Sequence, residues 1–138
     1  MPVILFVHLT WTTYLRYLRK PMIGSSEARF LGRFLPAEAQ RHGGQIIAMG
    51  MVSDHGHLIL RLPAKWDLPR VVQGLKGASA RLATQDQAIS GRSLRWARGY
   101  HAQSVGPRQL SSAVEYVKRQ AQRHPERAIP GDPALSVG

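Results

Sequence analysis

The feature that most constrains the fold is a pair of apolar segments, residues 45–53 and 55–62, with almost no chain between them. Each segment has the length and the branched, apolar side chains typical of a strand. A link as short as Ser53-Asp54 cannot carry the chain across a sheet, so the two strands must pair antiparallel as a hairpin. The other elements must therefore pack around this hairpin.

The segments around the hairpin alternate between strand and helix patterns. In chain order we predict a strand at 3–11, a helix capped by a serine of Ser25-Ser26 that Pro36 kinks or divides and that ends near Gly43-Gly44, the hairpin, an amphipathic helix at 66–83, a strand at 99–106 and a helix from Pro107. The order β-α-β-β-α-β-α is that of a ferredoxin-like, RRM-like α/β (α+β) sandwich with a four-stranded antiparallel sheet. RNA-binding modules and nucleases both use this fold, so the fold alone does not select a function.

We expect a single domain over residues 1–124, because no linker, repeat or low-complexity segment divides it. Hydrophobic residues make up 43% of the chain, which is enough for one core. Residues 125–138 contain three prolines and two glycines without periodicity, and we predict that they form a loose C-terminal tail.

The charge balance indicates a polyanionic partner. Nineteen Lys and Arg residues stand against eight Asp and Glu residues, a formal net charge of +11. Such an excess on one small domain is typical of nucleic-acid binding, and a basic surface that serves only solubility is the alternative. The chain has no cysteine, which excludes disulfides and thiolate sites and agrees with a cytoplasmic location. No apolar run is long enough to span a bilayer, so no membrane role is expected.

Two histidines stand at the start of the second hairpin strand. His55 and His57 lie at i and i+2, so they project from the same face and could share one cation through their imidazole nitrogens. On spacing alone, the alternative is one surface histidine beside one satisfied histidine. Gly56 points to the opposite face, and because glycine weakens a strand we expect a neighbour to fit closely against it.

The last helix supplies a second pair. Tyr116 and Gln120 are four residues apart and lie on one strip beside the apolar stripe of the helix. A tyrosine nucleophile and an amide metal ligand would need this border position, which is anchored to the core and faces an open sheet. The alternative is a tyrosine packed at the core edge with a solvated glutamine.

The segment "HLT", residues 8–10, matches half of the signature of the two-histidine phosphoesterases. That class needs two copies of H-x-[ST], and the sequence contains no second copy. The class is therefore excluded.

Four stretches occur together in one known family: "SDHGHLIL", "VVQGLKGASARL", "RWARGYHAQSVG" and "VEYVKRQ". With them the chain resembles the single-tyrosine HUH transposases of the insertion-sequence 200/605 type and their REP-associated relatives. The stretches are similar to the family's HUH strand, its Lys-Gly-Ser/Ala helix, its Trp-x-x-Gly-Tyr strand entry and its tyrosine helix, in that order, over most of the chain. Two positions depart from the pattern: Gly56 replaces a bulky apolar residue, and Ser53 stands where proline is common.

The resemblance implies a role for each residue of the two pairs. His55 and His57 would ligate a divalent metal, Mg²⁺ or Mn²⁺, with Gln120 as the third protein ligand. Tyr116 would attack a scissile phosphate in single-stranded DNA, leaving a 5′-phosphotyrosine and a free 3′-OH. Since the phosphotyrosine stores the energy of the cleaved bond, no nucleotide cofactor is needed.

The resemblance also implies the partners. The family moves single-stranded transposon DNA with imperfect hairpins near its ends, and it is usually dimeric, whereas the REP-associated relatives are monomers. We expect a homodimer with composite active sites, because Gly106-Pro107 joins the fourth strand to the tyrosine helix in only two residues. Gly106 would be the hinge, since glycine takes backbone angles that other residues avoid.

Several basic residues are candidates for DNA-backbone contacts, with simple solubility as the alternative. They are Lys76, Arg81, Arg95 and Arg98, together with Arg16, Arg19 and Lys20 after the first strand. Trp96 and Tyr100 could stack on bases, but anchoring of the strand entry in the core is the favoured interpretation.

Two functions from different classes are compatible with the sequence. The leading hypothesis is a metal-dependent nickase and strand transferase, because the four catalytic residues that the family pattern requires are present. The alternative is a catalytically inactive or domesticated protein that binds single-stranded DNA or RNA hairpins. An RNA-recognition module would need exposed aromatic side chains on its central strands, and residues 45–62 contain none.

Overall fold

The computed structural model describes residues 4–13, 23–63, 67–79 and 96–123, together with residues 125 and 129. The strands are β1 (Ile4–Thr12), β2 (Gln45–Val52), β3 (His55–Pro63) and β4 (His101–Val105), and the helices are α1 (Ser25–Arg41), α2 (Leu68–Gln73), α3 (Leu110–Lys118) and α4 (Gln120–Arg123). The order of elements confirms the predicted α+β fold. Within these ranges, no helix has the length and the apolar character needed to cross a membrane.

The four strands form one antiparallel sheet in the order β2-β3-β1-β4. This is the strand order of a ferredoxin-like sheet, with β1 and β3 at the centre. The predicted hairpin is confirmed, since β2 and β3 pair directly across the turn at Ser53-Asp54. In the register of β1, Thr10 lies opposite His57 on one side and opposite His101 on the other.

Helix α1 differs from the prediction at its start and at its proline. The cap is Gly24 rather than a serine, and the Gly24 N–H donates to the carboxylate of Glu27 at 2.9 Å. Pro36 lies inside a single 17-residue helix and does not divide it. Leu35 and Ala39, on either side of the proline, have no exposed surface, so burial of the apolar face outweighs the missing backbone hydrogen bond.

The predicted helix at 66–83 is confirmed for the part that the structure describes. Asp67 caps α2 by accepting a hydrogen bond from the Arg70 N–H. The chain then continues through a π-helical turn, Gly74–Ala78. Residues 80–83 lie outside the described residues, as do Arg16, Arg19, Lys20, Arg81 and Arg95 and most of the predicted tail.

The main core lies between the sheet and the pair α1 and α2. Alternate residues of β1 and β3 enter it: Val7, Leu9 and Trp11 from β1, and Leu58, Leu60 and Leu62 from β3. Met51 packs against Gly56 on this side, because a Cβ added to the glycine would lie 3.2 Å from the Met51 Cε. The residues between the core positions, including both hairpin histidines, face the other side of the sheet.

Helix α3 covers part of that second face. Val117 packs there in a small cluster with Ala48 of β2 and Ile59 of β3. The predicted C-terminal helix is wrong in one respect: it is interrupted at Arg119, where φ is −98° and ψ is 18°. The chain resumes helical geometry in α4, and Gln120, its first residue, is turned into the interior with no exposed surface.

Candidate functional site

His55 and His57 project from one face of β3, as their spacing predicted. Their ring centroids lie 5.0 Å apart. The exposed fractions are 4% for His55 and 6% for His57, so neither is a surface side chain. The two rings therefore lie side by side on the face of the sheet that is partly covered by α3, the helix that carries Tyr116.

His55 has an oxygen atom beside each ring nitrogen. Its Nδ1 lies 2.8 Å from Oδ1 of Asp54, and its Nε2 lies 3.4 Å from Oε1 of Gln120. The amide nitrogen of Gln120 donates to the carbonyl oxygen of Tyr116 at 3.0 Å. Because that bond fixes the amide, the oxygen of Gln120 is turned toward the imidazole.

This arrangement sets two lone pairs against each other unless a positive charge lies between them. When Nδ1 of His55 donates its hydrogen to Asp54, a neutral ring presents a bare Nε2 to an amide oxygen, and both atoms are acceptors. A proton or a metal cation would satisfy both atoms. Two ligands bound side by side to a small cation at about 2.1 Å are about 3 Å apart, close to the observed 3.4 Å.

Two imidazoles and an amide are donor types that a divalent cation accepts, and the pair His55 and Gln120 has a spacing like that of two ligands. Within residues 4–13, 23–63, 67–79 and 96–123, no three His, Cys, Asp or Glu side chains gather in a way that could hold a metal ion. A set of three ligands built on His55 and His57 would include the amide of Gln120. Such a set leaves coordination positions open for phosphate and water.

His57 finds its partners on β1. Its Nδ1 lies 2.9 Å from Nε2 of His8 and 3.0 Å from Oγ1 of Thr10. Burial, with a smaller contribution from His101, lowers the pKa of His8 below its ordinary value. The ring of His8 is consequently neutral near pH 7 and can accept a hydrogen bond at one nitrogen.

Tyr116 stands beside the histidines at the border of α3. Its ring centroid is 5.6 Å from that of His57 and 5.8 Å from that of His8, edge-on in both cases. The half-buried ring borders an open pocket of about 440 Å³, whose polar lining also includes His8, Thr10, His57, His101 and Gln103. Tyr116 thus has the predicted border position, whereas Gln120 is fully buried rather than solvated.

Gly50 brings the tyrosine helix close enough to complete this arrangement. A Cβ added at Gly50 would lie 1.8 Å from the carbonyl oxygen of Val117 and 3.4 Å from Cγ of Gln120. Only glycine allows the backbone of α3 to approach β2 so closely. An isolated glycine inside a strand pattern is the sequence signal for such a close approach, and β2 contains one at Gly50.

The two described candidates for DNA contact have different surroundings. The ammonium group of Lys76 donates to the carbonyl oxygens of Ala97, at 2.7 Å, and Gly99. Burial lowers the pKa of Lys76. Arg98, between those two carbonyl groups in sequence, is exposed. Lys76 thus ties the entry of β4 to the π-helical turn, while the guanidinium of Arg98 is open to solvent.

The aromatic residues at the entry of β4 have separate environments. Trp96 donates its indole N–H to Oγ of Ser79 at 3.0 Å and packs edge-on against Trp11, with the ring centroids 5.8 Å apart. These contacts agree with the interpretation of Trp96 as a core anchor. Tyr100 is exposed, at 37%.

Gly106, the predicted hinge, has an ordinary backbone conformation in this structure. Its φ of −70° and ψ of 154° are open to any residue. A 3₁₀ turn, Pro107–Gln109, follows it and leads directly into α3. Helix α3 docks on the sheet of its own chain, where Val117 packs against Ala48 and Ile59. A single chain therefore brings the histidine pair close to Tyr116 and Gln120.

A family model described as "Transposase IS200 like" matches residues 4–120. The chain belongs to this family. Two solved structures share its fold. A candidate transposase from Deinococcus radiodurans R1 is 23% identical, with 92% of this chain and 93% of that chain covered and a TM-score of 0.64. A REP-associated tyrosine transposase bound to a REP hairpin is 13% identical, with 86% of this chain and 67% of that chain covered and a TM-score of 0.67.

Membership of the IS200-like transposases confirms the resemblance seen in the sequence. The process associated with this family is DNA transposition. The matched residues include both histidines, the tyrosine and the glutamine. The two structural neighbours confirm the fold. No curated protein sequence matches the chain.

Proposed function

We propose that this transposase is a metal-dependent single-strand DNA endonuclease and strand transferase. Tyr116 is the nucleophile, and His55, His57 and Gln120 hold the divalent cation, Mg²⁺ or Mn²⁺. The observation that carries the proposal is the convergence of these four side chains from β3, α3 and α4. The Tyr116 ring lies 5.6 Å from the His57 ring, and Oε1 of Gln120 lies 3.4 Å from Nε2 of His55.

The proposed chemistry follows from these groups. A tyrosine hydroxyl with an ordinary pKa near 10 is protonated at neutral pH and is a weak nucleophile. A cation held by the three ligands would neutralise charge on the phosphate oxygens and align the phosphate for in-line attack. Oη of Tyr116 then forms a bond to phosphorus while the bond from phosphorus to the 3′ oxygen of the preceding nucleotide breaks.

The products account for strand transfer. The tyrosine loses its hydroxyl proton, and the departing 3′ oxygen takes up a proton to become a free 3′-OH. The 5′ phosphate of the downstream strand remains on Tyr116. A second 3′-OH can attack this phosphotyrosine and restore a phosphodiester, so joining needs no nucleotide cofactor.

The proposed substrate is single-stranded DNA with hairpin ends. The REP-associated relative that is bound to a REP hairpin shares the fold over 86% of this chain, and the net charge of +11 favours a nucleic-acid backbone. The proposed backbone contacts are Lys76, Arg81, Arg95, Arg98, Arg16 and Arg19. Lys76 would reach DNA from the same turn that holds the entry of β4.

We further propose a homodimer with shared active sites. The pivot at Gly106 and Pro107 is short, and the docking surface that α3 uses on its own sheet is also present on a second copy. If two chains exchanged their tyrosine helices, Tyr116 and Gln120 of each chain would meet His55 and His57 of the other.

The test uses the protein, Mg²⁺ or Mn²⁺, and end-labelled single-stranded DNA from the sequence that flanks its gene. We expect a covalent protein–DNA adduct that survives a denaturing gel. Tyr116→Phe should form no adduct and should bind hairpin DNA almost as well, because backbone contacts carry the affinity. Tyr100→Phe, at an exposed tyrosine, is the matched control and should form the adduct.

Two outcomes would contradict the proposal. An adduct that persists in Tyr116→Phe would exclude Tyr116 as the nucleophile. Hairpin binding without an adduct, with either metal, would identify the alternative, a catalytically inactive hairpin-binding protein.

A further inference from the structure

His8 is a half-buried ring on β1 that contacts both His57 and Tyr116. Its Nε2 lies 2.9 Å from Nδ1 of His57, and Oγ1 of Thr10 lies 3.0 Å from the same nitrogen. The rings of His8 and His57 are 5.1 Å apart and tilted by 38°. The register explains the contact, because Thr10 is paired with His57 and His8 stands two residues away on the same face.

The main core does not require a histidine at this position. The chain neighbours of His8, Val7 and Leu9, point into the main core, so His8 points to the opposite face. It borders the open pocket there, beside Tyr116. A ring that packs at the edge of a pocket and also reaches a neighbouring imidazole nitrogen supplies a hydrogen bond that an apolar residue could not supply.

The position of one hydrogen decides what His57 can bind. A neutral imidazole carries a single N–H. With the hydrogen on Nδ1, His57 donates to His8 or Thr10, and its Nε2 is bare and able to bind a cation. With the hydrogen on Nε2, Nδ1 accepts from these two residues and the ring cannot act as a ligand through Nε2. Metal-binding histidines usually donate their second N–H to a partner that fixes ring and tautomer, as His55 does with Asp54.

We propose that His8 is the positioning residue for His57: Nε2 of His8 accepts the hydrogen on Nδ1 of His57 and leaves Nε2 of His57 bare for the cation. The hydroxyl of Thr10 is a second acceptor for the same hydrogen. The two ligand imidazoles are then oriented by different partners, a carboxylate for His55 and a neutral ring for His57. The inference rests on the proposed function for the identity of the ligand, but the position of the hydrogen can be measured without metal.

The first test is an NMR measurement on the metal-free wild-type protein. Long-range ¹H–¹⁵N correlations of the imidazole rings distinguish an Nδ1–H tautomer from an Nε2–H tautomer. We expect His57 to carry its hydrogen on Nδ1. A hydrogen on Nε2 of His57 would overturn the inference, even in a protein that cleaves DNA. Because no variant is involved, the result does not depend on whether a substituted chain folds.

The second test is Mn²⁺ binding without DNA, followed by electron paramagnetic resonance. His8→Leu should weaken Mn²⁺ binding by about 10–100-fold, the usual effect of removing the partner of a ligand histidine. His8→Gln, whose amide oxygen can accept the hydrogen bond, should recover part of that loss. His42→Gln is the matched control, since His42 is bonded to Glu38 at 3.1 Å at the end of α1, and it should bind Mn²⁺ normally.

The outcomes separate the two proposals. Unchanged Mn²⁺ affinity in a folded His8→Leu protein would overturn the role of His8. A wild-type protein that binds no Mn²⁺ would contradict the proposed function, and the tautomer of His57 would still decide the position of the hydrogen.

Discussion

Replacing Gly50 with alanine should displace the tyrosine helix. A Cβ at this position would lie 1.8 Å from the carbonyl oxygen of Val117. A carbon–oxygen contact normally needs about 3.3 Å, so the helix must withdraw by about 1.5 Å. The obstructing atom belongs to the backbone, and it cannot turn aside as the end of a flexible side chain could.

A shift of this size acts on both activity and stability. The withdrawal carries Tyr116 away from His57, and Gln120 away from His55. A misplacement of about 1 Å can cost about 100-fold in rate, and an overpacked contact typically costs about 1–3 kcal/mol in the free energy of unfolding. We therefore expect Gly50→Ala to cleave DNA about 100-fold more slowly and to unfold at a lower urea concentration.

The assay is single-turnover cleavage of labelled single-stranded DNA, together with urea unfolding. Gly77→Ala is the matched control, because a Cβ added there has no atom within 4 Å. Alanine favours a helix over glycine by about 1 kcal/mol, so this variant should be at least as stable as the wild type and should cleave at the wild-type rate. A Gly50→Ala protein that cleaves and unfolds like the wild type would refute the close docking of α3 on β2.

The other predictions concern the metal, the shared site and the basic residues. His55→Ala or His57→Ala should lose metal-dependent cleavage. EDTA should abolish DNA cleavage by the wild-type protein, and full activity in excess chelator would refute the metal role. Mixing the double variant His55→Ala/His57→Ala with Tyr116→Phe should restore some cleavage if sites are shared, and a monomer by light scattering with no rescue would refute the composite site. Arg98→Gln should reduce the salt dependence of DNA binding by about one unit of slope, and an unchanged slope would exclude a phosphate contact. Lys76→Met should lower the free energy of unfolding by about 1 kcal/mol, since its ammonium group bonds two backbone carbonyls, and unchanged stability would contradict that role.

Local patterns in the sequence predicted most of the fold. The hairpin followed from a two-residue link at Ser53-Asp54, because so short a connection admits only one pairing. Of the two outcomes predicted for Pro36, a kink or a division of the helix, the division is wrong, since Leu35 and Ala39 beside it are fully buried in one continuous helix. The sequence contains no signal for the interruption at Arg119, because the apolar period of the last helix continues past this residue.

The candidate site was predictable only where its residues are close in sequence. His55 and His57 share one face of β3 because of their spacing. Gln120 instead follows the interruption at Arg119, and the bond from its amide nitrogen to the carbonyl oxygen of Tyr116 sets its orientation. His8 is 49 residues from its partner His57, so its role depends on the register between β1 and β3. The same limit applies to the contact of Gly50 with α3, which only the packed structure reveals.

The central claim is that Tyr116 cleaves single-stranded DNA by forming a bond to its 5′ phosphate. The most direct measurement is mass spectrometry of the protein after reaction with Mn²⁺ and single-stranded DNA labelled separately at each end. We predict that the peptide containing Tyr116 carries the DNA, that the 3′-labelled fragment stays on the protein, and that the 5′-labelled fragment leaves with a free 3′-OH. Cleavage with the DNA attached to another residue, or with the 5′-labelled fragment retained on the protein, would contradict this account.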